Sequence, residues 1–104
     1  MIDIVIMEGL AENAVREELG EAAVSSWAKR YNDDQADRLL ERIIMPNHEL
    51  TRKHPITTQI LYGTGLYPNM VGYAVGYYLV QKYMNRTGCK TKDLIGVAAE
   101  KFIE

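Results

Sequence analysis

Residues 1–20, MIDIVIMEGLAENAVREELG, form the stretch around which the rest of the chain is expected to fold. The pattern predicts a helix over Ile2–Leu19 that ends at Gly20, because glycine readily adopts the left-handed conformation that follows a helix. Apolar side chains lie on nearly every side of its first turns, which is typical of a helix buried on most faces. In the first ten residues of this helix the polar side chains are those of Asp3 and Glu8.

Glu8 is the unusual residue of this predicted helix. About 60° or less around the helix axis separates it from four apolar residues, Ile4, Ala11, Val15 and Leu19. Burying an unpaired carboxylate costs several kcal/mol, so Glu8 must be protonated, paired or bound to a cation. Arg16 is two turns away, and Glu12, four residues on, would repel Glu8. Two interpretations stay open: both acids reach solvent beside a packing seam, or Glu8 is a metal-binding or catalytic carboxylate whose partners lie elsewhere.

Three glycines at helical positions predict close approaches between backbones. Gly9 follows Glu8 directly, although glycine inside a helix costs roughly 1 kcal/mol relative to alanine. Gly72 and Gly76 stand at GxxxG spacing in the segment YPNMVGYAVGYYLVQKYMNR. In a soluble helix this spacing indicates that another helix or a ligand comes close to the backbone. Tyr73, beside the first glycine of the pair, is the tyrosine best placed to face a cleft.

The two histidines, His48 and His54, lie in the string HELTRKH and invite comparison with the zinc motif HExxH. That motif needs its histidines four residues apart on one helical face. Arg52 occupies the required position, and six residues separate the two rings by roughly 120° around a helix. Pro55 also disfavours helix at His54. We therefore interpret the pair as surface histidines.

Residues 21–63 are predicted to form further helices rather than strands. A short helix is expected over Glu21–Arg30. Asn32 and Gln35 then form a plausible capping box for a helix that Pro46 is expected to stop. Another segment opens at Pro55, which is favourable in a first helical turn, and closes at the next glycine. No run alternates apolar and polar residues with period two.

The C-terminal part contains the longest clear helix. Asn69 is its predicted N-cap, and the helix runs over about residues 70–86 before Gly88. Thr91 starts a last helical segment that is expected to break near Gly96. The sequence therefore predicts an all-α fold, a single domain over residues 1–104 built as a compact bundle of five to six helices.

The composition excludes several classes of protein. With 47% hydrophobic and 25% charged residues, the chain belongs to the ordinary globular class. A net charge of −2, without a basic stripe, gives nucleic-acid binding no electrostatic support. The longest apolar run, Met70–Val80, is too short to span a bilayer, and the start of the chain is a poor signal peptide. Cys89 is the single cysteine, which fits a reducing compartment, so a cytoplasmic location is expected.

Two stretches together resemble a known family. They are IMEGLAENAVREELGEAAVSSW and LYGTGLYPNMVGYAVGYYLVQKYMNRTG, and the similarity extends through the closing TKDLIGVAAEKFIE. The chain resembles a bacterial family described as predicted zinc-dependent proteases, whose members look like gluzincins. In that pattern an HExxH helix supplies two histidine ligands and the general base, and a later EGxAE-type helix supplies a glutamate ligand. The string EGLAE with its downstream GY-x-x-GY helix carries the match.

This resemblance implies roles for particular residues. It implies Glu8 as the third zinc ligand. Two hypotheses extend this role: Glu12 would accept the free N–H of a ligand histidine, and Tyr73 would donate to a developing oxyanion. Seven residues precede Glu8 and no HExxH is present, so the chain resembles the C-terminal half of such a protein. Zinc and a peptide substrate would then require an HExxH-bearing segment, and these residues alone are expected to be inactive and to bind zinc weakly.

Three hypotheses follow. The first is the ligand-bearing half of a zinc metallopeptidase, inactive as it stands. The second is a non-catalytic helical association module that forms a homo-oligomer through its glycine-faced helix and its apolar first helix. The third, an enzyme complete within these residues and built on Glu8, Glu12 and Tyr73, lacks a nucleophile and a convincing base.

Overall fold

The computed structural model describes all of residues 1–104 and contains helices and turns without strands. Its five α-helices are α1 (Ile2–Leu19), α2 (Asp33–Leu39), α3 (Pro55–Tyr62), α4 (Val71–Thr87) and α5 (Thr91–Leu94). Shorter 3-10 and π-helical turns join them, and a last 3-10 turn covers Ala99–Ile103. None of the helices has both the length and the apolar character needed to cross a membrane. The prediction of an all-α fold is confirmed.

Helices α1 and α4 pack against each other at the centre of the molecule. Val5 of α1 faces Gly76 of α4, whereas Arg16, further along α1, donates to the sulfur of Met84 at 3.8 Å. Residue numbers rise together along the contact, so the two helices run in the same direction. Most of the 16 buried residues of the apolar core come from this pair. The pair therefore fixes the frame to which the other elements attach.

The three glycines singled out in the sequence lie against the backbone of another helix. A Cβ atom on Gly9 would overlap the carbonyl group of Gly76, and one on Gly76 would overlap the carbonyl group of Val5. A Cβ atom on Gly72 would lie 2.8 Å from the Cα atom of Leu61 in α3. Real Cβ atoms do not come this close to backbone atoms. Glycine at these positions therefore allows α4 to approach α1 and α3 at backbone distance.

Residues 21–30, which we call the Trp27 segment, do not form the predicted continuous helix. They form two 3-10 turns, Glu21–Ala23 and Ser26–Lys29, separated by extended residues. The cause is a contact with α1: the backbone N–H of Ser25 donates to Glu12 Oε1 at 2.6 Å. That hydrogen bond replaces a bond within a helix. The segment consequently lies across α1 instead of continuing it.

The capping box at Asn32 is confirmed, whereas the stop at Pro46 is wrong. Asn32 Oδ1 accepts from the Gln35 N–H at 2.8 Å, and Gln35 Oε1 accepts from the Asn32 N–H at 2.9 Å. After α2 the chain continues through a π-helical turn at Leu40–Ile44 and a 3-10 turn at Met45–Asn47. Pro46 fits there because it stands in the first turn of the 3-10 segment, where its missing N–H has no required partner.

Helix α4 begins one residue later than predicted, with Met70 rather than Asn69 as its N-cap. Met70 is left-handed, with φ of 55°. The loop before it turns back so tightly that the Met70 N–H donates to the Tyr62 carbonyl oxygen at 3.0 Å. A Cβ atom on Gly63 would lie inside the backbone of this same loop. The left-handed conformation of Met70 is what lets the loop close onto the end of α3.

A carboxylate of α1 holds the start of α5. Both carboxylate oxygens of Glu17 accept from the Thr91 N–H, at 3.2 and 3.3 Å, and Oε1 also accepts from the Thr91 hydroxyl. The hydroxyl hydrogen bond is the main cause that lowers the pKa of Glu17 below its ordinary value. The C-terminal segment is in this way attached to the end of α1.

Candidate functional site

Glu8 of α1 lies beside an aromatic group that comes from three other elements. The ring of Tyr73, in the first turn of α4, contacts Trp27 edge-on, with 5.1 Å between centroids and an angle of 65°. Tyr62 is the last residue of α3, and the centroids of its ring and the Tyr73 ring are 5.3 Å apart. The hydroxyl of Tyr73 donates to the hydroxyl oxygen of Tyr62 at 3.3 Å. Glu8 itself is half-buried.

The environment of Tyr73 keeps its phenol protonated. Burial is the main cause that raises the pKa of Tyr73 well above its ordinary value, followed by the hydrogen bond to Tyr62 and the negative charge of Glu8. Arg52 acts in the opposite direction with a smaller effect. A neutral phenol can donate a hydrogen bond, which a phenolate cannot. The structure therefore brings Glu8 and Tyr73 together as an anion beside a protonated donor.

This arrangement predicts how Tyr73 titrates. We expect Glu8→Gln to lower the pKa of Tyr73, because the substitution removes a nearby negative charge that opposes phenolate formation. Alkaline titration followed by NMR of ¹³Cζ-labelled tyrosine measures the effect, with the signal assigned through Tyr73→Phe. The matched control is Glu18→Gln, an exposed acid on the same helix. An unchanged titration of Tyr73 in Glu8→Gln would show that the two groups are not coupled.

Glu12 contacts the backbone of the Trp27 segment, whereas the sequence analysis suggested it as an acceptor for a ligand histidine. Its Oε1 accepts from the Ser25 N–H, and no other group of the chain donates to its second oxygen. The proposed role of Glu12 as an acceptor for a ligand histidine would need that second oxygen. In the structure the carboxylate holds the Trp27 segment, and so the indole, against α4.

Glu12→Ala is expected to loosen the Trp27 segment, because it removes a charge-assisted hydrogen bond worth about 1–2 kcal/mol at a partly exposed site. Trp27 is the single tryptophan, so intrinsic fluorescence reports on this segment directly. We expect a red-shifted emission and stronger quenching by acrylamide in Glu12→Ala. Glu12→Gln keeps an acceptor oxygen and should stay close to the natural protein. Identical fluorescence of all three proteins would contradict this role for Glu12.

Asn13 is a buried polar residue of α1 that the sequence analysis did not single out. It is fully buried, and its amide donates to the carbonyl oxygens of Gly9 at 2.8 Å and Tyr77 at 3.2 Å. Its Oδ1 accepts from Arg16 at 2.9 Å. These bonds join the two central helices directly behind the Gly9 contact. The sequence feature that could have indicated this role is the spacing of Asn13 four residues after Gly9, which puts both on one face of the helix.

The residues of this chain do not complete a zinc site. Catalytic zinc takes three protein ligands, and no group of three or more His, Cys, Asp or Glu side chains is close enough to hold a metal ion. His48 and His54 are exposed, and His54 Nδ1 accepts from the Ile56 N–H at the start of α3. Glu8 is thus a single carboxylate with no histidine close enough to form a metal site with it.

Comparison of the sequence with known proteins identifies its family. The model of the family described as "Predicted Zn-dependent protease (DUF2268)" matches residues 1–104. The chain is 38% identical over 104 residues to the uncharacterized protein YjaZ of Bacillus subtilis (strain 168). That similarity takes in all of this chain and 40% of the relative, so the chain spans less than half of that relative's length. No solved structure is significantly similar to it. The resemblance seen in the sequence is confirmed, and the chain belongs to the family of predicted Zn-dependent proteases.

Proposed function

We propose that residues 1–104 are the C-terminal, glutamate-bearing part of a zinc-dependent metallopeptidase of the gluzincin type. Glu8 is then one zinc ligand, and an HExxH segment elsewhere in the same polypeptide supplies two histidines and the general base. The observation that supports this proposal most is the position of Glu8, half-buried on α1 with its charge acting on the protonated phenol of Tyr73. Membership of the family supplies the metal and the reaction class.

Each further role that the proposal assigns to this chain has a residue that can perform it. Tyr62 and Trp27 hold the ring of Tyr73, and its single hydroxyl proton, which goes to Tyr62 in this structure, would turn from Tyr62 to an oxyanion that develops on a peptide carbonyl. Glu12 has one oxygen free of hydrogen bonds from the chain, which could accept from a ligand histidine. These residues lack the nitrogen ligands and the base, and they are inactive without them in this proposal.

A second candidate is a non-catalytic module that forms a homo-oligomer. The observation that favours it is apolar surface: Met7 and Leu19 of α1 are 56% and 71% exposed. Exposed apolar residues on one helix favour association. A native product that consists of these residues alone, and that is a stable dimer, would support this candidate over the peptidase.

The experiment that separates the two candidates is the intact mass of the endogenous protein, captured with an antibody against this chain. The peptidase proposal predicts a product larger than 11.8 kDa whose peptide map contains an HExxH sequence. A product of 11.8 kDa would leave Glu8 without histidine ligands and would contradict the proposal. A cytoplasmic location, which fractionation of the same cells tests, stays a prediction that rests on Cys89 being the single cysteine.

A further inference from the structure

An apolar groove runs along the side of α1 that faces away from α4. Ile6, Met7 and Leu10 of α1 form one wall, and Val97 and its neighbours Ile95 and Ala99 form the other. The groove has a volume of about 310 Å³, and Asp3 is its one polar residue. Met7 is 56% exposed and Ile95 is 79% exposed. Two large apolar side chains thus face water on opposite walls of one groove, which is unfavourable unless something covers them.

The groove continues as an apolar stripe along the outward face of α1. Met7, Leu10, Ala11 and Ala14 lie within about 100° of one another around the helix axis. The two alanines are small, so another helix can approach α1 closely along this line. Glu8 lies at the edge of the stripe, about 60° from Ala11. An element that packs on the stripe therefore reaches the immediate neighbourhood of the Glu8 carboxylate.

Charge limits what the occupant can be. Asp3 is an exposed acid in the groove, and Glu18 is an exposed acid beyond the other end of the stripe, where Lys90 and Lys92 line the same pocket. A cation, Arg52, also touches the groove wall, with its Nη2 atom 3.8 Å from the Met7 sulfur. An occupant with apolar residues along the stripe and a basic residue at the Asp3 end matches a groove that has an acid and no basic residue in its lining. A second copy that packs through the same stripe would bring its own Asp3 to this surface and no basic residue from the outward face of its α1.

We propose that a helix of the same polypeptide, from outside residues 1–104, packs in this groove and along this stripe. The chain spans 40% of the length of its Bacillus subtilis relative, so a family protein has ample additional chain to cover the groove. The occupant is an amphipathic helix with a basic residue beside its apolar face at the Asp3 end of the groove. This inference rests on the proposed function, because it names the surface through which the remaining part of the peptidase meets the helix that carries Glu8.

Cysteine labelling of the complete gene product tests the proposal. In a Cys89→Ser background, Ile95→Cys and Met7→Cys report on the two walls of the groove. The control is Arg38→Cys on α2: Arg38 is exposed, and α2 lies on the other face of α4, where Asp37 accepts from Tyr78. Each maleimide reaction rate is divided by the rate of the same variant in urea. We expect both groove variants to react about 10-fold or more slowly than the Arg38→Cys control, with rates independent of protein concentration.

Two outcomes would overturn the proposal. Groove cysteines that react as fast as the control would show an open groove. Protection that increases with protein concentration would identify a second copy as the occupant. The zinc content of the same samples separates this inference from the proposed function: an open groove with zinc retained refutes the docking surface alone. In Glu8→Gln we expect the groove cysteines to stay protected from maleimide. The zinc content of this variant tests the metal ligand alone.

Discussion

Gly76→Ala is expected to destabilise the protein by about 3 kcal/mol, at the upper end of the range for inserting a methyl group into a packed core. The new Cβ atom would overlap the Val5 carbonyl group of α1 and would lie 3.2 Å from Val5 Cγ1. Backbone atoms cannot move aside as a flexible side chain can, so α1 and α4 would have to separate. The roughly 1 kcal/mol that alanine gains over glycine inside a helix does not offset this cost. Gly9→Ala, on the facing helix, should behave in the same way.

Urea unfolding followed by circular dichroism measures this effect through the midpoint of the transition. Gly96→Ala is the matched control, because a Cβ atom at Gly96 would meet no atom within 4 Å and its backbone is not left-handed. We expect the control to lie within about 0.5 kcal/mol of the natural protein. A Gly76→Ala variant as stable as the control would mean that the two helices are not in backbone contact.

Glu8→Gln in the complete gene product is expected to weaken zinc binding by at least about 100-fold, since loss of even an outer-shell partner costs 10- to 100-fold. Glutamine removes the negative charge and leaves only a weak carbonyl ligand, while its size and packing match those of glutamate. Peptidase activity should fall with the metal content. Competition with a chelator of known affinity gives the zinc dissociation constant, and hydrolysis of a casein substrate gives the activity.

Glu41→Gln is the control for this prediction, because it removes an exposed acid from the turn after α2, outside both the site and the groove. Its zinc affinity and activity should match those of the natural protein. Equal zinc affinity in Glu8→Gln and Glu41→Gln would exclude Glu8 as a ligand. Circular dichroism of both variants shows whether the fold is retained, so that loss of metal is not confused with unfolding.

Local signals were enough to predict several parts of the fold. The bounds of α1 follow from its apolar turns and Gly20, and the Asn32 capping box follows from residue types three positions apart. Pro55 and Gly63 likewise mark the two ends of α3. In these cases the residues that decide the structure are close together in the sequence, so no tertiary contact overrides them.

The parts that could not be predicted depend on contacts across the fold. The Trp27 segment is extended at Ser25 because Glu12, thirteen residues earlier, accepts its N–H. Met70 is left-handed because its loop closes onto Tyr62. Asn13 is buried because its amide finds the Tyr77 carbonyl, 64 residues away in the chain. Composition and periodicity carry no information about such partners.

The candidate site was predicted only in part. Glu8 stood out because a carboxylate among apolar turns requires a partner, and Tyr73 stood out because of its place beside Gly72. The structure adds Tyr62 and Trp27, which contact Tyr73 from two other elements. No group of three His, Cys, Asp or Glu side chains comes together in this chain, so the role of Glu8 as a zinc ligand stays a proposal.

Anomalous scattering at the zinc absorption edge, from crystals of the complete gene product, tests the central claim most directly. The account predicts a zinc ion whose distance to a carboxylate oxygen of Glu8 is about 2.0–2.2 Å, with two histidine nitrogens from an HExxH helix completing the protein ligands. A zinc ion bound elsewhere, with Glu8 outside its coordination sphere, would contradict the account.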